Sequence, residues 1–140
     1  MEYVTKAQIE FGQRVGLDLA GKSVGEAQAT IEDVIQRDFL LDKDLGSPTS
    51  KQVELAAKFQ RDISGASRRV GNAIIDDLMT ELNHEAIRRE KLAPGVRVTN
   101  KHDSSKKEYV VSSIKSDGTV YFRGGNGAKA WARSLVRSVE

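Results

Sequence analysis

TKAQIEFGQRVGLDLAGKSVGEAQATIEDVI, residues 5–35, lies over TSKQVELAAKFQRDISGASRRVGNAIIDDLM, residues 49–79, without a gap. Identical pairs are Thr5/Thr49, Gln8/Gln52, Glu10/Glu54, Asp18/Asp62, Gly21/Gly65, Ser23/Ser67, Ala29/Ala73, Ile31/Ile75 and Asp33/Asp77. Conservative pairs include Ile9/Val53, Phe11/Leu55, Arg14/Lys58, Leu19/Ile63, Val34/Leu78 and Ile35/Met79. An ungapped match over the whole unit reads as an internal duplication with a period of 44 residues.

The shared residues have mechanical roles. Thr5 and Thr49 precede helical stretches and are followed three positions later by Gln8 and Gln52, the spacing of a capping box. Apolar residues then recur at helical spacing: Ile9, Phe11 and Val15 in the first copy, Val53, Leu55, Ala56 and Phe59 in the second. The loops GLDLAG and QRDISG end in Gly21 and Gly65, which are expected to take a positive φ. Ser23 or Ser67 then caps a second helix, and Ser23 with Glu26 has the spacing of another capping box. Each copy is thus expected to be a helix–loop–helix unit. The second copy's last helix is longer, from about Arg68 to Lys91, with Val70, Ile74, Leu78 and Leu82 on one stripe before Pro94-Gly95. The segment FLLDKDLGSP, residues 39–48, reads as the linker between copies, ended by Gly46 and Pro48.

Within the first copy, GLDLAGKS (16–23) matches the phosphate-loop pattern G-x-x-x-x-G-K-[ST] at every specified position. A phosphate loop must follow a buried strand, so that its amides converge at a helix start. Here the preceding AQIEFGQRV is patterned as a helix, and the second copy keeps the cap and turn but has no lysine. We therefore read a structural loop, with Lys22 an exposed lysine.

After Pro94 the spacing changes to alternation. VRVTN (96–100), EYVVSSIK (108–115), TVYFR (119–123) and AKAWARSLVRSV (128–139) read as short strands joined by KHDSSKK, SDG and GGNG. On TVYFR, Val120 and Phe122 share one face while Thr119, Tyr121 and Arg123 share the other; on AKAWAR, the alanines oppose Lys129, Trp131 and Arg133. Two assignments are open. With the alanines inside, Tyr121, Arg123, Lys129, Trp131 and Arg133 form an outer face of rings and cations, which suits nucleic acid. With Trp131, the single tryptophan, inside as the main core residue, the alanines lie outside.

Charge separates the two parts of the chain. The 140 residues carry a net +2, but residues 1–90 hold 12 Lys/Arg against 16 Asp/Glu, a net of −4. Residues 91–140 hold 10 against 4, a net of +6. Such a split suggests a polyanionic partner that only the basic end touches, or a basic surface that meets the chain's own acidic half. Cysteine is absent, which excludes disulfides and thiolate metal sites. No apolar run has membrane-spanning length, and MEYVTKAQIE lacks a signal peptide's regions, so the chain reads as cytoplasmic.

Two resemblances follow. The motif T-x-K-Q, an apolar helix, a polar-glycine loop, a Ser cap and an I-x-D-L helix resembles helical modules appended to phage and bacterial proteins, several of which handle single-stranded DNA. Thr49, Lys51, Gln52, Ser67, Ile75 and Leu78 carry the match, and Ala7 replaces the lysine in the first copy. The tail LAPGVRVTNKHDSSKKEYVVSSIKSDGTVYF resembles the SH3-like barrels, including those of KOW type, which often bind nucleic acid or proteins.

Nothing in the chain has catalytic spacing. His84 and His102 lie on a polar helix end and in a charged loop, where both read as solvated. Glu32-Asp33 and Asp76-Asp77 are adjacent, so on a helix their side chains diverge by about 100° and do not converge on one metal. The sequence thus predicts an α+β protein: duplicated helix–loop–helix units (1–91) followed by a small antiparallel SH3-like β-barrel (92–140). The expected function is non-enzymatic nucleic-acid binding, or association with nucleoprotein, in a phage or mobile-element setting, with no cofactor and no metal. Single-stranded DNA is the favoured partner, ahead of RNA or duplex DNA, and no membrane is involved. Tyr121, Arg123, Lys129, Trp131 and Arg133 are the candidate site; Lys51, Lys58, Arg61, Arg68 and Arg69 form an alternative nucleic-acid surface. The alternative function is a protein–protein adaptor or inhibitor whose acidic repeats dock a basic partner.

Overall fold

Thr5 and Thr49 each accept a hydrogen bond from the amide three residues on, and Gln8 and Gln52 Oε1 each accept one from the cap amide, so two complete capping boxes open two nine-residue helices. The computed structural model describes residues 3–124 and 127–138. Its fold is α+β: among the described residues, four α-helices precede a five-stranded antiparallel sheet. The helices are α1 (Lys6–Arg14), α2 (Val24–Val34), α3 (Ser50–Lys58) and α4 (Arg68–Glu90), with a π-helical turn (Ile35–Phe39) continuing α2. The strands are β1 (Arg97–Asn100), β2 (Glu108–Ile114), β3 (Thr119–Phe122), β4 (Lys129–Trp131) and β5 (Leu135–Arg137). Two compact units result, Met1–Leu78 and Met79–Glu140. The hydrophobic spacing changes near residue 91, but Ala86 and Ile87 of α4 pack into the sheet's core, which brings the helix's second half into the second unit.

In the helical unit, the ends of α1 and α3 are closed alike. The Leu17 amide donates to the Gly12 carbonyl and the Gly16 amide to Gln13; the Arg61 amide donates to Ala56 and the Gln60 amide to Ala57. These are Schellman closures, which require a left-handed residue just past the helix. Gly16 meets this at φ +78°, but in the second place Gln60 is forced to +62°. Of the two glycines expected to have positive φ, Gly21 does at +80° and Gly65 does not, so the two loops close alike at the helix end and differ at the later turn. Replacing Gln60 by glycine should therefore stabilise the unit by about 1 kcal/mol, read as a higher urea midpoint at unchanged slope.

Small buried residues then let each loop fold back. A Cβ on Gly12 would stand 2.9 Å from Leu19, and the corresponding Ala56 packs with Ile63; Leu19, Ala27 and Ile31 form one cluster, Ala56, Ile63 and Ile74 another. Ser23 and Ser67 accept from the amides of Glu26 and Val70, and each hydroxyl donates across the unit: Ser23 to Asp77 and Ser67 to Asp33, both at 2.5 Å. The exchange is reciprocal, because the serines and the aspartates are each 44 residues apart.

GLDLAGKS follows a helix. Its amides turn inward, Leu17 to Gly12, Ala20 to the Asp18 carboxylate and Lys22 to Leu19, so they do not converge on an external anion. Lys22 differs from its sequence reading. Its Nζ lies 2.9 Å from Glu26, a buried carboxylate that also receives Arg61 Nη2 at 3.0 Å. Those bonds draw the Glu26 side chain away from the cap amide, leaving only the serine half of the expected capping box. Burial raises the Glu26 carboxyl, but Lys22 and Arg61 outweigh it and hold the group below its ordinary value of 4.5. A carboxyl depressed on folding stabilises fully above its unfolded value, and that stability is lost as pH falls through the folded one. The helical unit's melting temperature should thus drop below pH 4.5. Glu26→Gln should flatten that drop by an amount on the order of 1 kcal/mol, because both cations are partly solvated.

The sheet runs β4-β3-β2-β1-β5. Val98, Val111, Val120, Phe122, Ala132 and Leu135 form its core with Ala86 and Leu92, and Tyr109 stacks on Phe122 at 4.6 Å. The expected single strand over 128–139 is two strands broken by a 3-10 turn at Ala132–Ser134. Ala132 and Leu135 are both fully buried although three apart, a spacing that a continuous strand cannot place on one face. Gly125 and Asn126 of the GGNG turn, and Val139, lie outside the described residues. No helix among the described residues is long and apolar enough to cross a membrane.

Candidate nucleic-acid interface

Strand register decides which face Trp131 takes. Thr119 pairs with Trp131 and Tyr121 with Lys129, while Ser113 of β2 pairs with Tyr121 across a bulge. Val120 and Phe122 point into the core and Tyr121 between them is half-buried; Trp131 is 45% exposed although its partner Thr119 is buried. Of the two assignments left open by the sequence, the alanine-inside one holds at Ala132, which is fully buried; Ala130 is half-buried and Ala128 exposed.

The outward rings each carry cations. Lys115 Nζ lies 5.2 Å and Lys129 Nζ 6.0 Å from the Tyr121 centroid, and the Arg133 guanidinium lies 5.0 Å from that of Trp131. Tyr121, Lys129, Trp131 and Arg133 are thereby brought together. Arg123 is not one of them. Its amide bonds Val110, its guanidinium reaches toward Gly95, and it borders a separate groove with Lys107 and Tyr109. Sequence reasoning missed Lys115, which follows β2 and whose amide donates to Thr119, placing it beside the outward row.

Arg133 is positioned by a residue that alternation could not reveal. Asn83 on α4 is 1% exposed; its Oδ1 accepts the Arg133 amide at 3.1 Å and Nη1 at 3.3 Å, while its Nδ2 donates to the Asp117 carbonyl at 3.0 Å. Burial lowers the Arg133 guanidinium from the usual arginine value. His84, expected to be solvated, is instead half-buried with Nε2 2.6 Å from the Ser116 carbonyl, so that nitrogen carries the proton.

Of the alternative surface, Arg61 and Arg69 are engaged in ion pairs. Arg61 is bound to Glu26; Arg69 contacts Glu32 at 3.3 Å, Asp33 at 3.2 Å and the Gln36 carboxamide at 3.0 Å. Arg68 Nε donates to the Ser47 carbonyl, leaving Lys51 and Lys58 as exposed members on α3. Compared with protein-family models, curated proteins and solved structures, the chain matches none.

Proposed function

We propose that the sheet-bearing unit is a non-enzymatic module that binds single-stranded nucleic acid, DNA ahead of RNA. The observation that carries this is the single outward face on which Tyr121 and Trp131 stand among Lys115, Lys129 and Arg133. Trp131 is exposed and Tyr121 half-buried; such rings offer bases a stacking surface, and the cations beside them neutralise phosphates. In a duplex the bases are already stacked, so single strands gain more from such a surface.

We read the sheet as an SH3-like barrel because a 3-10 turn after β4 returns β5 to pair with β1. We read the helical unit as a duplication because its caps, helix closures and serine–aspartate bonds recur at one spacing. The resemblance of residues 5–79 to phage and bacterial helical modules adds the setting, a cytoplasmic protein of phage or mobile-element origin.

The test is a titration of labelled single-stranded DNA, single-stranded RNA and duplex DNA against the full chain at several salt concentrations. Expected is tightest binding to single strands, with affinity falling linearly in log salt. Equal affinity for duplex and single strand at every salt would remove the stacking argument.

A second reading, docking of a basic protein partner by the acidic helical unit, is favoured by Phe39, Leu40 and Leu41, which are 65%, 71% and 78% exposed. Leu41 holds φ +58°, so an apolar tip is kept outward at a conformational cost. Replacing Leu40 and Leu41 by serine should leave stability nearly unchanged, and retained partner capture would count against this docking site.

A further inference from the structure

A second cationic cluster lies beside the stacking face, and of its residues the nucleic-acid reading uses only Arg133. Arg89 and Glu85 on α4, Lys101 and His102 after β1, and Arg133 and Ser134 in the 3-10 turn line one cleft. Three permanent cations and one carboxylate thus line the cleft, and Arg89 Nε also lies 3.7 Å from Glu90. The cleft is held by backbone bonds: the Lys101 amide donates to Ser134 at 2.8 Å and the His102 amide to the Asn100 side chain at 2.9 Å. Arg133 belongs to both places, lining the cleft while its guanidinium lies over Trp131.

We infer that this cleft binds a phosphodiester group, the phosphate adjoining a base stacked on Trp131. The inference rests on the nucleic-acid reading for the identity of the strand, though not for the anion chemistry. Arg133 is fixed by Asn83 and needs little ordering on binding, whereas Arg89, which lies 3.7 Å from Glu90, and Lys101 are exposed and become ordered on the anion. Glu85 lines the same cleft, and its carboxylate repels a dianion more than the monoanionic phosphodiester.

The experiment uses the full chain carrying Arg89→Gln with Lys101→Gln, and a control of equal charge change, Lys6→Gln with Arg14→Gln, on α1, which belongs to neither candidate surface. All four side chains are exposed, and matching thermal melts establish intact folding. Against a labelled single-stranded oligonucleotide, the cleft pair should flatten the plot of log affinity against log salt by about 0.7 or more, with the control unchanged. An unchanged slope in the cleft pair, or an equal change in the control, overturns the inference while Trp131-dependent binding leaves the function standing. If no oligonucleotide binds, the function fails and inorganic phosphate decides the cleft. Saturable shifts of the Lys101, His102 and Ser134 amide resonances, lost in the cleft pair, sustain it as an anion site, and unmoved resonances overturn it.

Discussion

Replacing Gly118 by alanine should unfold the sheet-bearing unit. Gly118 sits in the S-D-G turn between β2 and β3 at φ +91°, where an L-residue loses about 1–2 kcal/mol. An added Cβ would also stand 2.2 Å from the Asn83 Cβ and 2.7 Å from its Cγ. That contact cannot be relieved by a side-chain rotation, because Asn83 is held by Asp117 and Arg133. Displacing Asn83 leaves the Asp117 carbonyl and the Arg133 amide without partners, at about 1–3 kcal/mol. A unit spanning Met79–Glu140 has only about 3–9 kcal/mol at the usual stability per residue. Circular dichroism should show loss of cooperative β-sheet melting while the helical signal of residues 3–78 persists. A cooperative melt within a few degrees of the parent would mean that the turn and α4 are not locked together as described.

Trp131→Ala should have the opposite profile, a large loss of binding on a protein that still folds. The ring is 45% exposed and its removal opens no cavity, so the melting temperature should move little. Removing a stacking surface costs about 1–3 kcal/mol, roughly 5- to 150-fold in affinity, at every salt concentration. Lys129→Ala should instead flatten the salt dependence, because its contribution is counterion release. Arg123→Ala, which has left that face for the groove beside Gly95, should change the slope less than Lys129→Ala. Binding of Trp131→Ala equal to the parent would sink the stacking proposal.

The parts of the fold that could be read from sequence are those whose cause lies within three or four residues. Thr5 with Gln8 and Thr49 with Gln52 form capping boxes by local spacing alone, and Pro94-Gly95 ends a helix wherever that helix packs. Alternation placed Val120 and Phe122 inside because each strand face repeats every second residue. What escaped depends on distant partners. Glu26 reads as a capping-box residue until Arg61, 35 positions away, is found bound to it, and Arg69 looks basic until Glu32 and Asp33 surround it. Asn83 is one polar residue on a polar helix, and nothing in ELNHE distinguishes it from its neighbours. The break after Trp131 did leave a trace: Ala132 and Leu135, both small or apolar, fall three apart in a segment otherwise read with a period of two.

The crossed serine–aspartate bonds limit how the helical unit can change over time. Ser23 is completed by Asp77, and Ser67 by Asp33, so each half carries a residue whose only use lies in the other half. Losing Asp77 strands a hydroxyl fifty-four positions away and leaves its own half's serine undisturbed. Selection therefore acts on the two halves as one object. Neither can drift alone at these positions, neither can be deleted or transplanted singly, and a compensating change must arise in the other half of the gene segment.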